Sequence, residues 1–305
     1  MSRVTRVSTL VLGSEVSSAL SAPRAVVALE SSVFAQGLPE PASREAADRM
    51  RDAVRSLGAV PAITGVVNGR PIVGLGDDDL ERFLRRNNVA KVSAKDLPWA
   101  MAQRKDGATT VAAAIALAAL AGVAVFATGG IGGVHREPVY DESADLVELS
   151  RTPIIVVCAG AKSILNVPAT AERLETLGVP VIGYRTSEWP GFYAVGSGIP
   201  IANRVESVDE IVAQWRAHRA LGMNRAFVVM NPVPAAAAIP AADVETALAS
   251  ASDRARRNGI AGAAITPYLL SEIAVATGGR TLRANVELLV ANAGLAAEIA
   301  VKVAS

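Results

Sequence analysis

Two residues of this sequence have types and positions suited to covalent or proton-transfer chemistry: Lys162 in AGAKS and Glu30 in ALESS. Each lies just after a short apolar run that is typical of a buried strand. Burial lowers the pKa of a lysine, and a neutral amine can attack a sugar or carbonyl carbon to form a Schiff base. Burial raises the pKa of a carboxyl group, which suits a general acid. Two alternatives stay open: a phosphate-binding or exposed Lys162, and a Glu30 that caps a helix or pairs with a cation.

Residues 128–133, with the sequence TGGIGG, form a second candidate feature because the backbone N–H groups of such a loop can bind phosphate. The segment differs from the GxGxxG pattern of dinucleotide sites, and the chain has no GxxxxGK[ST] motif, so a tight turn is the alternative. Lys91 follows a short apolar run and could contact an anion or only solvent.

An acidic cluster, with His135 nearby, consists of Asp141, Glu142, Asp145 and Glu148. Such a cluster can hold one hard cation together with several water molecules, and the alternative is a capped, solvated helix start. The chain has two histidines, which excludes a multi-histidine metal site and favours Mg²⁺ or Mn²⁺.

The composition excludes several classes of protein. Of the 305 residues, 51% are hydrophobic and the net charge is +1, which excludes disorder as the main state. The 30 basic and 29 acidic residues nearly balance, so we expect no nucleic-acid partner. The single cysteine, Cys158, excludes a disulfide scaffold, is predicted to be an inert core residue and is typical of a reducing cytoplasm. The apolar run 7–13 is too short for a signal core, and Gly122 divides segment 111–128 into a buried helix and a strand rather than a membrane span.

Short apolar runs alternate with longer helical patterns along the chain. This alternation predicts one α/β domain over residues 1–305, layered α-β-α with a mostly parallel central sheet. Asn68-Gly69 within residues 62–75 predicts a small peripheral hairpin. The other predicted strands are 24–29, 90–93, 123–127, 153–158, 180–184 and 226–230. The predicted helices are a short one within residues 1–22, then 43–57 with Ser43 as N-cap, 77–86, 107–121, 169–177, 208–221, 243–258, 267–277 and 282–303. Ligands of such sheets bind beyond the carboxyl ends of the strands, so the residues there are expected to share one site.

Seven motifs, in this order, resemble the pseudouridine-5′-phosphate glycosidase family, also called the indigoidine synthase A family. They are VALESS with GLPEP, KVSAKDLPWAMAQRKDGATTVAAA, ATGGIGGVHR, ESADLVELS, VVCAGAKSILN, NPVP and LRANVELLVANAGLAAEIA. The resemblance implies a reversible reaction in which pseudouridine 5′-phosphate and water give uracil and ribose 5-phosphate by cleavage of a carbon–carbon glycosidic bond. It also implies a homotrimer with one Mn²⁺ ion per subunit.

The resemblance implies a role for each matching residue. Lys162 matches the lysine that attacks the sugar C1′, opens the ribose ring and gives an imine-linked intermediate. Glu30 matches the proton donor, and Asp141 matches the carboxylate that holds Mn²⁺. The substrate-binding residues implied by the family are Lys91, Val111, Ser143, Ala144, Asp145 and Asn285. Between His135 and Asp141 the chain has only residues 136–140, a shorter interval than the family pattern has.

Two other functions would use the same lysine. A Schiff-base aldolase acting on a sugar phosphate would need Lys162 but neither Glu30 nor a metal ion. A non-catalytic protein that binds a phosphosugar or a nucleotide would need Lys162 only for affinity. Release of uracil from pseudouridine 5′-phosphate distinguishes the glycosidase from both.

Overall fold

The strands of the computed structural model form one sheet, which carries helices on both faces. The structure describes residues 9–137, 140–260 and 265–305. The strands in these residues are β1 (Val11–Leu12), β2 (Val26–Leu29), β3 (Val60–Val67), β4 (Arg70–Val73), β5 (Val89–Val92), β6 (Asp106–Thr109), β7 (Val125–Ala127), β8 (Ile155–Cys158), β9 (Val181–Tyr184), β10 (Arg204–Val205) and β11 (Phe227–Met230). The helices are α1 (Ser14–Ser21), α2 (Ala42–Ser56), α3 (Asp77–Leu84), α4 (Leu97–Ala102), α5 (Val111–Ala121), α6 (Ala144–Leu149), α7 (Val167–Thr176), α8 (Val208–Ala220), α9 (Ala241–Arg257), α10 (Ile265–Ala276) and α11 (Arg280–Ala304).

The strand order is β1-β4-β3-β2-β7-β8-β11-β9-β10, and β6 joins β3 to β5 beside this path. The pairs β3–β4 and β3–β6 are antiparallel, and the other pairs described are parallel. The prediction of a layered α/β fold with a mostly parallel sheet is therefore confirmed. The hairpin β3–β4 turns at Asn68 and Gly69, whose φ angles are 50° and 74°. Because β3 also pairs with β2, the hairpin extends one edge of the main sheet.

The core lies on both faces of the sheet, because successive strand residues point to opposite sides. In β2, Val27 and Leu29 pack in the cluster that also contains residues of α2, α8 and α11. Val26 and Ala28 pack in the opposite cluster, with residues of α1, α5 and α6. Burial on both faces explains why the central strands read as continuous apolar runs in the sequence.

The predicted helix 107–121 is wrong in its first four residues: 107–109 belong to strand β6, and Thr110 is the N-cap of α5. Gly107 pairs with Ala90 of β5 and with Val66 of β3, so this segment lies between two strands. A Cβ atom at Gly107 would lie 2.5 Å from Val92 Cγ2, and the close approach of the strands therefore requires glycine here. The alanine-rich segment that follows predicts the helix correctly, but nothing in the sequence pattern indicates that the helix begins only at Val111.

The predicted N-cap of the second helix is also wrong. Helix α2 begins at Ala42, its N-cap is Pro41, and Ser43 lies inside the first turn. The hydroxyl of Ser43 is buried and has no hydrogen-bond partner among the described residues.

Two short elements have no periodic signal in the sequence: a π turn, Val33–Gly37, and the helix α6.

Cys158 is fully buried in β8, as expected of a core residue. Burial raises the pKa of its thiol to about 12, so the reactive thiolate is disfavoured. Within the part of the chain that the structure describes, no helix combines the length and the apolar character needed to cross a membrane.

Candidate active site

A cavity of about 260 Å³ lies beyond the carboxyl ends of β2, β7 and β8. Glu30 follows β2, the glycine loop 128–133 follows β7, and Lys162 lies a few residues after β8. These strands are parallel neighbours, so their ends meet at one edge of the sheet. Lys91 of β5 and Asn285 of α11 also line the cavity. The fold thus brings an amine, a carboxyl group, a second lysine and a carboxamide into one space.

Glu30 is held on both sides by hydroxyl groups. Its side chain is buried, and Thr128 Oγ1 donates to Oε1 at 2.5 Å while Ser32 Oγ donates to Oε2 at 2.6 Å. Thr128 comes from the end of β7 and Ser32 from the residue before the π turn, so two elements position one carboxyl group. A hydroxyl can donate or accept, so the same contacts can serve the charged and the protonated carboxyl group.

The backbone around Lys162 is fixed by the glycine loop. Its N–H donates to Ile131 O at 3.1 Å, and the N–H of Ile131 donates to Gly160 O at 3.0 Å. The bridge between Ile131 and Ala161 continues the parallel pairing of β7 and β8 beyond their ends. The side chain is half-buried, and its amine has no ion-pair or hydrogen-bond partner among the described residues. It is therefore available to a ligand in the cavity.

A buried carboxylate, Asp145, holds the glycine loop in place. Its Oδ1 accepts from the N–H of Ala112 at 2.9 Å, and its Oδ2 accepts from the N–H of Gly132 at 2.8 Å. These bonds tie the loop to the first turn of α5. A Cβ atom at residue 132 would lie 2.1 Å from Ser143 Oγ, so this approach requires glycine. The hydroxyl of Ser143 in turn accepts from the N–H of Asp145 at 3.2 Å and caps α6.

Lys91 stands at the mouth of the cavity, where its side chain keeps contact with solvent. Desolvation by the surrounding protein lowers the pKa of its ammonium group, and repulsion from Lys162 lowers that pKa further. Glu30 and Asp145 act on Lys91 in the opposite direction. An anionic ligand beside Lys91 would favour the charged form of that residue.

The residues predicted for the site fall into two groups. Glu30, Lys91, Lys162 and Asn285 line the cavity together. Asn285 is buried, and its carboxamide has no hydrogen-bond partner among the described residues. The others lie at the N-termini of α5 and α6 or just before α6, outside the lining of this cavity: Val111, Asp141, Ser143, Ala144 and Asp145. The roles of Val111, Ser143, Ala144 and Asp145 in substrate binding and of Asp141 in metal binding stay predictions. Asp145 has a clear positioning role in the fold.

Among the cavity-lining residues that were not predicted from the sequence are Gln36 on the π turn, Phe192 and Leu270 of α10. Phe192 has a φ of 64°, rare for a non-glycine residue, and a Cβ atom at Gly130 would lie 2.6 Å from its ring. None of these three residues directly follows a strand, so the expectation that ligands bind beyond the carboxyl ends of strands does not identify them.

The acidic cluster offers a single uncommitted carboxylate. Glu142 pairs with Arg173 at 2.9 Å, and Glu148 accepts from Thr152 and Arg151. Asp145 holds backbone N–H groups, which leaves the half-buried Asp141, whose carboxylate has no partner among the described residues. Likewise, residues 9–137, 140–260 and 265–305 contain no group of three or more His, Cys, Asp or Glu side chains that could hold a metal ion.

One carboxylate fits only a weakly coordinated cation. Mg²⁺ and similar hard ions often bind through one or two carboxylates, keep several waters and take further ligands from a substrate phosphate. The donor set therefore suits a hydrated cation at Asp141 and does not suit an all-protein cage. Pro138 and Val139, in the short interval before Asp141, lie outside the described residues.

The chain is similar to a known family over most of its length. The profile of the family described as indigoidine synthase A like protein matches residues 15–302. A protein of Gemmatimonas aurantiaca, named pseudouridine-5′-phosphate glycosidase, is 59% identical over 288 residues, which are 94% of each chain. A protein of Herpetosiphon aurantiacus with the same name is 48% identical over 294 residues, which are 96% of this chain and 97% of that one.

Two solved structures share the fold. The prealnumycin C-glycosynthase AlnA, solved in complex with ribulose 5-phosphate, superposes on this chain with a TM-score of 0.90. The two sequences are 39% identical, and the superposition covers 98% of each chain. An indigoidine synthase A-like protein from Thermotoga maritima gives a TM-score of 0.88 and 36% identity, with 97% of each chain covered.

The contrast between Asp145 and Asp141 gives a test of stability. We predict that Asp145→Asn lowers the free energy of unfolding by about 3 kcal/mol, because an amide N–H would face the N–H of Ala112 or Gly132 and a charge-assisted bond would be lost. The control Asp141→Asn is expected to change it by less than about 0.5 kcal/mol. Denaturant unfolding measures both values. Equal losses in the two variants would contradict the positioning role of Asp145.

Proposed function

Because the chain belongs to the family of indigoidine synthase A-like proteins, we propose that it is a pseudouridine-5′-phosphate glycosidase. The reaction is the reversible cleavage of pseudouridine 5′-phosphate with water to uracil and ribose 5-phosphate. The observation that carries the proposal is the presence of Lys162 and Glu30 in the lining of one cavity. The names of the relatives support it, because proteins 59% and 48% identical to this chain are called by that activity.

The proposed first step is an attack by Lys162 on the sugar. The neutral amine forms a bond to C1′, the bond from C1′ to the ring oxygen breaks, and the ring oxygen takes up a proton. The amine has no protein partner among the described residues, so it need not leave an ion pair to react. A covalent intermediate replaces one difficult step by two easier ones.

Glu30 acts in the second step as the general acid. A C-glycoside has no heteroatom at the point of cleavage, so C5 of the base must receive a proton before it can leave. The lysine nitrogen supplies the electron pair that forms the imine with C1′, and the C1′–C5 bond electrons stay with the uracil ring. Water then hydrolyses the imine, which regenerates the amine and releases ribose 5-phosphate, and the proton lost from that water restores the acid.

The two ends of the substrate are assigned to different residues. We assign the phosphate to the side of Lys91, which is the second cation at the cavity, and of Val111, the substrate-binding residue that the resemblance implies at the start of α5. The loop of Ser143, Ala144 and Asp145 adjoins that helix end through the Asp145–Ala112 bond. The base is assigned to the side of Asn285, whose carboxamide can match the carbonyl and N–H groups of uracil.

We also propose one Mn²⁺ ion in each subunit, held by Asp141. When bound, such an ion would supply positive charge and ordered water ligands to the dianionic substrate. The single uncommitted carboxylate of Asp141 supports this assignment.

The presence of Glu30 favours the glycosidase over the Schiff-base aldolase. Cleavage of a C-glycoside requires an acid that protonates the departing carbon, and Glu30 is a buried carboxyl group that two hydroxyl groups fix at the same cavity as Lys162. A protein that only binds a phosphosugar or a nucleotide needs no acid there.

The resemblance supports a homotrimer, and we propose that this assembly is located in the cytoplasm. The free thiol of Cys158 is consistent with a reducing compartment. Light scattering on the purified protein tests the assembly, and a monomeric mass would contradict it. Cell fractionation tests the location.

The direct test of the function runs the reaction in the direction of synthesis. Purified protein with uracil, ribose 5-phosphate and Mn²⁺ is expected to consume uracil and form pseudouridine 5′-phosphate. Chromatography measures both compounds. Lys162→Met is expected to lower the rate by at least about a thousandfold, because it removes the nucleophile but keeps an unbranched side chain. Absence of product from the folded wild-type protein would contradict the proposed function. Full activity of Lys162→Met would contradict the covalent step.

Removal of metal tests Asp141. A chelator is expected to abolish turnover, and added Mn²⁺ to restore it, because the cation would anchor the substrate dianion. Asp141→Asn is expected to raise the Mn²⁺ concentration needed for half-maximal rate by about tenfold or more, as the loss of a charged ligand predicts. Glu142→Gln, which removes a neighbouring carboxylate paired with Arg173, is the matched control. A rate that does not respond to chelation would contradict the metal site.

A further inference from the structure

One polar side chain of the cavity has no part in the chemistry described so far. Gln36 lies on the π turn between Glu30 and α2, and it lines the same cavity as Glu30, Lys162 and Asn285. Its Nε2 donates to Val89 O at 3.2 Å. Its Oε1 is buried and has no hydrogen-bond partner among the described residues.

The orientation of this carboxamide is determined by its neighbour. If the amide were flipped, Oε1 would face the carbonyl oxygen of Val89 and both atoms would be acceptors, so Nε2 must point to Val89. The atom left over is therefore an acceptor. A buried acceptor without a donor costs free energy, so an N–H or O–H group of a ligand or a water is needed to satisfy it.

The two products of the proposed reaction differ in what they can donate. Ribose 5-phosphate presents hydroxyl groups and a phosphate, and the phosphate end belongs with Lys91 and the N-terminus of α5. Uracil presents two ring N–H groups, and both lie two bonds from the carbon that is joined to the sugar. Gln36 and Asn285 line the same cavity as Glu30 and Lys162. With that carbon placed between Glu30 and Lys162, the two ring N–H groups are therefore left to the other polar groups of the lining.

We propose that Gln36 Oε1 accepts a hydrogen bond from a ring N–H of the uracil base, so that Gln36 determines specificity for the base. The inference rests on the proposed function and deepens it. Asn285, whose carboxamide offers both a donor and an acceptor, forms hydrogen bonds with an adjoining edge of the ring. A pyrimidine that lacks the ring N–H leaves the buried oxygen unpaired and is rejected.

A purely structural role of Gln36 has a different signature. Its bond to Val89 O ties the π turn to the first residue of β5, and β5 carries Lys91. Loss of that bond alone would disturb the phosphate end, and the KM for ribose 5-phosphate would rise. Loss of the contact to the base would raise the KM for uracil instead.

The test is the substitution Gln36→Met, which keeps the length of the side chain and removes both polar atoms. In the direction of synthesis, the KM for uracil is expected to rise about tenfold, as loss of one enclosed hydrogen bond predicts. The KM for ribose 5-phosphate is expected to change less than about twofold. Gln103→Met, at an exposed glutamine that does not line the cavity, is the matched control and is expected to change neither constant.

N-methylated bases identify the donor. Calorimetric titration of the wild-type protein without ribose 5-phosphate, so that no product can form, is expected to show weaker binding of 1-methyluracil or of 3-methyluracil than of uracil. In Gln36→Met the difference in affinity between uracil and that methylated base should become smaller, because the acceptor that the methyl group leaves unpaired has been removed. This measurement needs no turnover, so it tests Gln36 even if the glycosidase reaction is not observed.

Three results would overturn the inference. The first is an unchanged KM for uracil in folded Gln36→Met. The second is an equal rise in both KM values, which would indicate the structural role. The third is equal binding of uracil and both methyluracils to the wild-type protein, a result that does not depend on the stability of any variant.

Discussion

The geometry of the site depends on the two hydrogen bonds that the Asp145 carboxylate accepts. One holds the first turn of α5 and the other holds Gly132. The residue before Gly132, Ile131, accepts from the backbone N–H of Lys162. A single buried carboxylate therefore connects the phosphate end of the proposed substrate, the glycine loop and the proposed nucleophile. Charge-assisted bonds of this kind are strong, and removal of one partner leaves a buried group unpaired.

Much of this arrangement could be predicted from the sequence, because one rule governs parallel sheets. Apolar runs in the sequence predicted strands β2, β7 and β8. The polar residues that follow these strands were therefore expected to meet at one edge of the parallel sheet. Glu30, Lys162 and the glycine loop were found in this way, and the structure places them at one cavity. The helix predicted over 107–121 failed at its start, since Gly107 serves a close contact between strands that no local pattern shows.

The remaining features depend on contacts between segments that are distant in the sequence. Asp145 and Asp141 look alike in an acidic cluster, yet one carboxylate is committed to backbone N–H groups and the other has no partner among the described residues. Gln36 lies on a π turn, which has no periodic signature, and only the carbonyl of Val89 shows which of its atoms is left for a ligand. Propensity and periodicity carry no information on such pairings, which tertiary contacts decide.

The central claim is that Lys162, and no other lysine, forms a covalent bond with the sugar. The direct measurement is reduction with borohydride of the protein incubated with ribose 5-phosphate, followed by mass spectrometry of its peptides. Reduction would convert an imine into a stable secondary amine, so we expect the sugar phosphate on the peptide that contains Lys162 and an unmodified Lys91, which lines the same cavity. An adduct on Lys91 instead, or no adduct on either lysine, would contradict the account.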